Sequence, residues 1–296
     1  MTEHNTVLVT GATGRVGGQV VRRLAGTDGT VRALVRDPEA AVLPPGVERA
    51  QGDLSDASSL TTALKGVDTV FLVFPTMYAD DAAPSVISTI ARHAGRIVYL
   101  STAGADEHTD GILGSHGRME RLIEQSGMDW TFLRPRGFAA NTLMWADQIR
   151  AGDVVRWIHG AATRSLIHEY DIASVAVRTL TEDGHSGARH HLTGPGRLTQ
   201  IEQVTAIGEA IGRPLRFEEV PPEVARQEFF AGLPGPFVDS ILAGHAAMVD
   251  NPEPVTTTVE DLTGTPARTF RRWAIDHAAD FQAVPSQAVL GRPGVG

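Results

Sequence analysis

The stretch Thr10 to Gly17, TGATGRVG, constrains this 296-residue chain more than any other part of it. It follows the continuous apolar run Val7-Leu8-Val9. After it, Val16, Val20, Val21 and Leu24 recur at helical spacing and give way to Gly26. An apolar strand, a glycine turn and an amphipathic helix in that order predict a βα unit with a dinucleotide site at its turn. Gly11 permits the tight turn, Gly14 lets the backbone approach a pyrophosphate, and Gly17 allows the helix to pack closely on the sheet. The helix N-terminus then offers unpaired N–H groups and a positive dipole end to the anion. Thr13, Arg15 and Val16 lie in the same turn and are expected at the cofactor. A purely structural βα turn is the alternative; the strand before and the helix after favour the site.

The same rhythm continues through the first half of the chain. Strands are predicted over 31–35, 47–50, 67–74, 97–100 and 130–133, alternating with helices over 83–94 and 116–125, and Asp56 is placed to cap one carrying Leu60 and Leu64. The predicted class is α/β: a Rossmann-type doubly wound parallel sheet with a smaller C-terminal α/β substrate lobe. Residues 1–135 make the nucleotide-binding domain, with segments near 153–188 as additions to it. Residues 136–282, with strands over 189–192 and 215–220 and helices marked by Ile201 to Ile211 and by Phe270 to His277, make the covering lobe. The tail 283–296 is expected to be loose.

Composition removes several function classes. There is no Cys, hence no thiolate nucleophile and no Cys-ligated metal. No apolar run is long enough to span a bilayer, and the start lacks the pattern of a secretion signal, so a cytoplasmic location is expected. The net charge of −9 disfavours nucleic acid as a partner. His190 and His191, adjacent on a strand, point to opposite faces, and no other His spacing suggests a metal; none is expected.

The end of the second strand bears on the cofactor. An acidic residue there would bind the ribose 2′-OH of NAD; this chain has Arg36, with Arg15 as a second guanidinium. Arg can grip a 2′-phosphate bidentately, which favours NADP(H) over NAD(H), although Asp37 follows directly and Arg36 can equally be a solvated surface residue. Asp53, with Leu54, closes the third strand where a carboxylate can meet the adenine amino group. Phe74, Pro75 and Thr76 close the fourth, beside the expected path of the pyrophosphate and nicotinamide ribose. Ser101 and Thr102 close the fifth, near the nicotinamide.

TGATGRVG, LVRDP, GDL, YLSTAG and FLRPRGFAAN, together with LTGPGRLTQIEQVTAIGEAIGRPLRFEEV and TTTVEDLTGTPARTFRRWAIDHAADF, resemble the atypical short-chain dehydrogenase/reductases of the NmrA-like, NAD(P)H-binding family. The resemblance covers about residues 5–281. It implies a Rossmann domain, a small α/β lobe and a cleft between them, and it spans quinone and azo-type reductases, isoflavone-reductase-like enzymes and redox-sensing regulators.

The main dehydrogenase group uses a Tyr-x-x-x-Lys pair, and this chain cannot. Of 26 basic residues only Lys65 is Lys; Tyr78, Tyr99 and Tyr170 are followed four positions on by Ala82, Ala103 and Ser174. In its place stand His116 and Glu120, four apart on one helix face. Their pattern is similar to a pair in quinone-reductase-like members of the family. The imidazole would donate to a developing oxyanion while the carboxylate holds its tautomer; a solvent-facing pair that only supports the helix is the alternative. Ser101 completes the catalytic candidates, and Phe138, Asn141, Trp145 and Phe230 are candidate substrate walls. The expected activity is hydride transfer from NADPH to a quinone-like or conjugated aromatic acceptor, a natural-product intermediate being one such acceptor, with an NAD(P)H-sensing protein without turnover as the alternative. A homodimer is left open.

Overall fold

The computed structural model describes residues 5–75, 80–106, 108 and 111–282. Its strands are β1 (Thr6–Val9), β2 (Thr30–Val35), β3 (Glu48–Gln51), β4 (Thr69–Leu72), β5 (Arg96–Leu100), β6 (Asp129–Pro135), β7 (Val154–Trp157), β8 (Thr163–Arg164), β9 (Ala188–Leu192), β10 (Leu198–Thr199) and β11 (Arg216–Glu219). The α-helices are α1 (Arg15–Leu24), α2 (Leu60–Ala63), α3 (Ala83–Ala91), α4 (Gly111–Glu124), α5 (Ala146–Ala151), α6 (Glu169–Thr181), α7 (Gln200–Ala210), α8 (Pro222–Glu228), α9 (Gly235–Asp250), α10 (Thr258–Thr263) and α11 (Phe270–Asp276).

Seven strands form one sheet in the order β3-β2-β1-β4-β5-β6-β9, and every neighbouring pair is parallel. Side chains alternate across a strand, so a strand covered on both faces must be apolar at every position. β1 does this: Val7 and Val9 enter one core with Val20 and Val21 of α1 and Val175 of α6. Leu8 enters the other with Leu60 and Leu64, Val86 of α3 and Ile123 of α4. The order reverses at β1, which has β2 on one side and β4 on the other. In open α/β sheets that reversal opens a crevice at the carboxyl ends of the strands.

The second lobe is built around Trp145, Trp157, Ile207, Phe230 and Trp273. In it β7 pairs in parallel with β11, and β8 pairs antiparallel with β10. Helix α7 opens on a capping box, in which the Thr199 hydroxyl accepts from Glu202 N–H and the Glu202 carboxylate accepts from Thr199 N–H.

Two expectations shift. β4 covers Thr69–Leu72 instead of 67–74 because the Thr10 hydroxyl takes over its end: Val73 N–H donates to Thr10 Oγ1 at 2.7 Å and Thr10 Oγ1 donates to Val73 O at 2.9 Å. A side chain thus replaces the ladder and bridges the carboxyl ends of β1 and β4. The window 153–188 also divides between the lobes. Helix α6 packs on α1 and β9, which extends past that window, pairs with β6, whereas β7 belongs to the second lobe. The tail 283–296 lies outside the described residues.

Candidate active site

At the crevice the glycine turn has a definite geometry. Gly11 has φ +59°, a conformation that L side chains rarely adopt, and a Cβ there would stand 3.1 Å from Val73 Cβ. Gly17 is in a tighter place: its Cβ would lie 2.3 Å from Gly11 O and 2.9 Å from Thr10 O. Helix α1 starts at Arg15 with Gly14 as N-cap and no side-chain cap, which leaves the first-turn N–H groups for an anion.

In front of the turn lies a cleft of about 790 Å³. Gly11, Thr13, Arg36, Asp53, Leu54, Phe74 and Pro75 of the expected residues line it. Gly14 and Arg15 sit exposed at the helix start, while Val16 and Gly17 are buried beneath the turn, so Val16 serves packing more than contact. Thr76 lies outside the described residues. Ser101 and Thr102 are not on this wall.

Sequence reasoning missed two contributors here, the bridging hydroxyl of Thr10 and the exposure of Val42. Asp37 also lines the cleft, and its Oδ1 accepts from the N–H groups of Glu39 and Ala40 (3.0 and 3.3 Å), which shapes the loop after β2. That loop carries Val42, 92% exposed, to the cleft wall. A large apolar residue left so open beside a cleft suits the flat face of a base, but exposure cannot be read from sequence.

Arg36 stands exposed where this cleft meets a second of about 670 Å³, bordered also by Arg32 and Arg49. Arg32 is committed: it donates to Glu48 and to the carbonyls of Ala63 and Lys65, each at 2.8 Å. Arg36 makes no ion pair among the described residues. Asp53 Oδ1 accepts from the Ser55 N–H and hydroxyl, both at 2.8 Å, and these bonds, aided by the Arg36 charge, hold its carboxyl below the usual range. An ionised acceptor there is compatible with an adenine amino group.

A second polar cluster sits at the carboxyl ends of β5 and β6, and it corrects the expected pairing. Glu120, 4% exposed, is not the orienting partner of His116. It is gripped at both oxygens by Arg134 of β6 and accepts a bond from the buried Ser101 hydroxyl. His116 instead pairs with Tyr99, fully buried on β5, whose Oη shares a 2.6 Å hydrogen bond with Nδ1. The signal was a lone Tyr in the aliphatic strand RIVYL; its face follows from strand alternation, but its partner does not. Ser101 and Glu120 therefore serve a neutralised ion pair that ties α4 to the sheet. His116 itself is half-buried on α4.

The expected substrate walls divide as well. Phe138 packs half-buried against the first core and Asn141 is exposed. Trp145 (1% exposed) and Phe230 (6%) are packed in the second-lobe core, because that small lobe needs its large side chains to close. Among the described residues no cluster of His, Asp or Glu could hold a metal, and no helix is long and apolar enough to cross a membrane.

Fold and turn together define a dinucleotide-binding α/β protein. The profile described as NAD(P)H-binding matches residues 11–183. The (4-alkanoyl-5-oxo-2,5-dihydrofuran-3-yl)methyl phosphate reductase of Streptomyces griseus is 40% identical over 280 residues, 93% of this chain and 99% of its own. The NAD(P)H azoreductase of Xenophilus azovorans is 37% identical over 94% of this chain and 99% of its own. The solved NADPH-dependent quinone oxidoreductase of Escherichia coli superposes with a TM-score of 0.74 at 25% identity, covering 90% of this chain and 98% of that one. The chain belongs to the NAD(P)H-binding family, as an NAD(P)H-dependent oxidoreductase.

Proposed function

We propose that this protein uses NADPH to reduce an electron-poor, conjugated acceptor, a quinone or an unsaturated lactone or ketone of comparable electron demand. The observation that carries the reading is the pairing of Arg36, without an ion-pair partner at the cofactor cleft, with a sheet end that holds His116 and Tyr99 but no Tyr–Lys acid. Arg36 accounts for the preference for a 2′-phosphate over a bare ribose hydroxyl. The glycine turn and the first turn of α1 receive the pyrophosphate, and Val42 and Asp53 face the adenine. The cofactor, when bound, supplies the hydride.

Reduction of a conjugated acceptor leaves its negative charge on a stabilised phenolate or enolate oxygen. That product takes up a proton without a strong general acid, which suits an imidazole working near neutrality. Tyr99 orients the His116 ring through Nδ1, and Ser101, Glu120 and Arg134 hold the helix that carries it. The relatives support this acceptor class: one is named for an oxo-dihydrofuran phosphate, another for azo compounds, a third for quinones. The partner is accordingly a small conjugated molecule, and light scattering tests for a homodimer.

Steady-state oxidation of NADPH and NADH with a panel of quinones, azo dyes and unsaturated lactones tests the reading. Turnover with at least one panel member, at a kcat/KM at least tenfold higher with NADPH, is expected. Tight cofactor binding with no turnover on any acceptor would overturn it in favour of a sensing role.

A further inference from the structure

A separate cleft of about 440 Å³ lies between α1, α6 and the segment after α10, and shares no wall residue with the cofactor cleft. Tyr170 stands in it. The guanidinium carbon of Arg23 lies 3.5 Å from the centre of the Tyr170 ring and that of Arg268 lies 3.0 Å from it. Two guanidiniums this close to one ring centre can only occupy its opposite faces. Arg178 lines the same cleft, so three guanidiniums converge there on a protein whose net charge is −9.

Their hydrogen-bonding capacity is not used up by the protein. Among the described residues Arg23 Nε and Arg268 Nη1 are buried without a hydrogen-bond partner, a state that native structures rarely leave unexplained. Arg178 is paired with Glu182. The other carboxylate of the cleft, Asp171, stands 3.7 Å from Arg268 Nη1, beyond hydrogen-bond reach, and already accepts the Arg268 backbone N–H at 2.7 Å. Burial pushes the Asp171 carboxyl up against the opposing pull of Arg268 and Arg23, while Arg23 and then Arg268 hold the Tyr170 hydroxyl below the usual phenol range. The Tyr170 displacement is that of a group with positive charge close by.

We propose that this cleft is a second anion site, which receives a phosphate group as inorganic phosphate or as a phosphomonoester. A planar carboxylate would meet one fork in its own plane. The two forks here lie on opposite faces of the Tyr170 ring, and a tetrahedral oxyanion at the ring edge can accept from both at once. The cleft is also larger than a bare phosphate requires, so an organic substituent fits beside Pro266 and Val177.

The test is isothermal titration of the protein saturated with NADP+, which occupies the cofactor cleft, with inorganic phosphate and separately with phenyl phosphate at constant ionic strength set by chloride. Saturable binding at one site per chain is expected. Arg23→Met, which keeps the aliphatic stem and does not touch Asp171, is expected to weaken it about tenfold or more, and Arg36→Ala to leave it unchanged. Tighter binding of phenyl phosphate identifies a phosphomonoester site, and equal binding a phosphate site. Absence of saturable binding, or binding indifferent to Arg23→Met but lost in Arg36→Ala, would overturn the proposal without touching the reductase reading.

Discussion

The cofactor crevice and the polar cluster at the ends of β5 and β6 are neighbours on one sheet, yet they are built in opposite ways. The crevice is open and is made largely of backbone: a glycine turn, exposed N–H groups and the side chain of Arg36, which makes no ion pair among the described residues. The cluster is closed and is made of side chains whose charges cancel, with Glu120 satisfied by Arg134 and Ser101 while Tyr99 holds His116. The difference separates binding from support. A surface open to an anion keeps its donors free, whereas a buried cluster of side chains pairs the charges it contains.

The sharpest way to break the crevice is steric. A side chain at Gly17 meets the carbonyls of Gly11 and Thr10, neither of which is free to move. Gly17→Val is expected to lower stability by about 3 kcal/mol or more and to abolish cofactor binding, measured by urea denaturation and fluorescence titration. The cluster breaks electrostatically. Glu120→Gln removes the charge that Arg134 needs in a buried place, and a loss of about 3 kcal/mol is expected, with turnover per folded molecule changed less than tenfold. Turnover abolished at undiminished stability would instead make Glu120 a catalytic group.

Arg36→Ala gives a smaller effect, confined to one region. The KM for NADPH is expected to rise about tenfold to a hundredfold, the worth of a charge-assisted bidentate contact, while that for NADH moves little. An equal change with both cofactors would place Arg36 outside the 2′-phosphate contact.

The smallest effects are in the pH dependence of stability and belong to the second lobe. His277 bridges Glu169 at 2.6 Å and Asp280 at 2.7 Å, and the Glu169 contact, outweighing burial, raises its pKa. Its contribution is therefore complete below the ordinary histidine range and is lost as pH rises through the raised folded value. His245 is the reverse: burial lowers it to about 4. Below about 6.5 the unfolded chain gains a proton that the folded chain refuses, so stability is lost as pH falls from there toward 4. Melting temperature against pH should show both slopes; His277→Gln should flatten the alkaline one and His245→Leu the acid one. A slope that survives its own variant would assign it to another group.

How much of this was legible in the sequence follows from how local each feature is. The βα turn, the alternating strands and helices, the absent Tyr–Lys acid and the position of Arg36 at the end of β2 all depend on neighbours along the chain. Periodicity and turn chemistry sufficed for them, and the same holds for Gly11 and Gly17, whose obstacles lie within the turn or on the adjoining strand. The His116–Glu120 pairing was misjudged because helical spacing places two residues on one face without saying which other element that face meets. Tyr99 and Arg134 come from strands 17 and 14 residues away. Trp145 and Phe230 looked like cleft walls for the same reason, since burial is decided by what the rest of the lobe supplies.

By itself, then, the sequence determined a parallel α/β sheet with a pyrophosphate turn and a chemistry without Tyr–Lys acid catalysis, because those depend on backbone geometry and residue identity. Only the tertiary structure decided which charges are neutralised and which remain free. Arg134 is consumed by Glu120, Arg32 by Glu48 and two carbonyls, while Arg36 stays available to a ligand. The physical reason is that a guanidinium's role is set by the acceptors within about 4 Å of it, and in a chain whose basic residues are nearly all Arg, composition could not distinguish one from another.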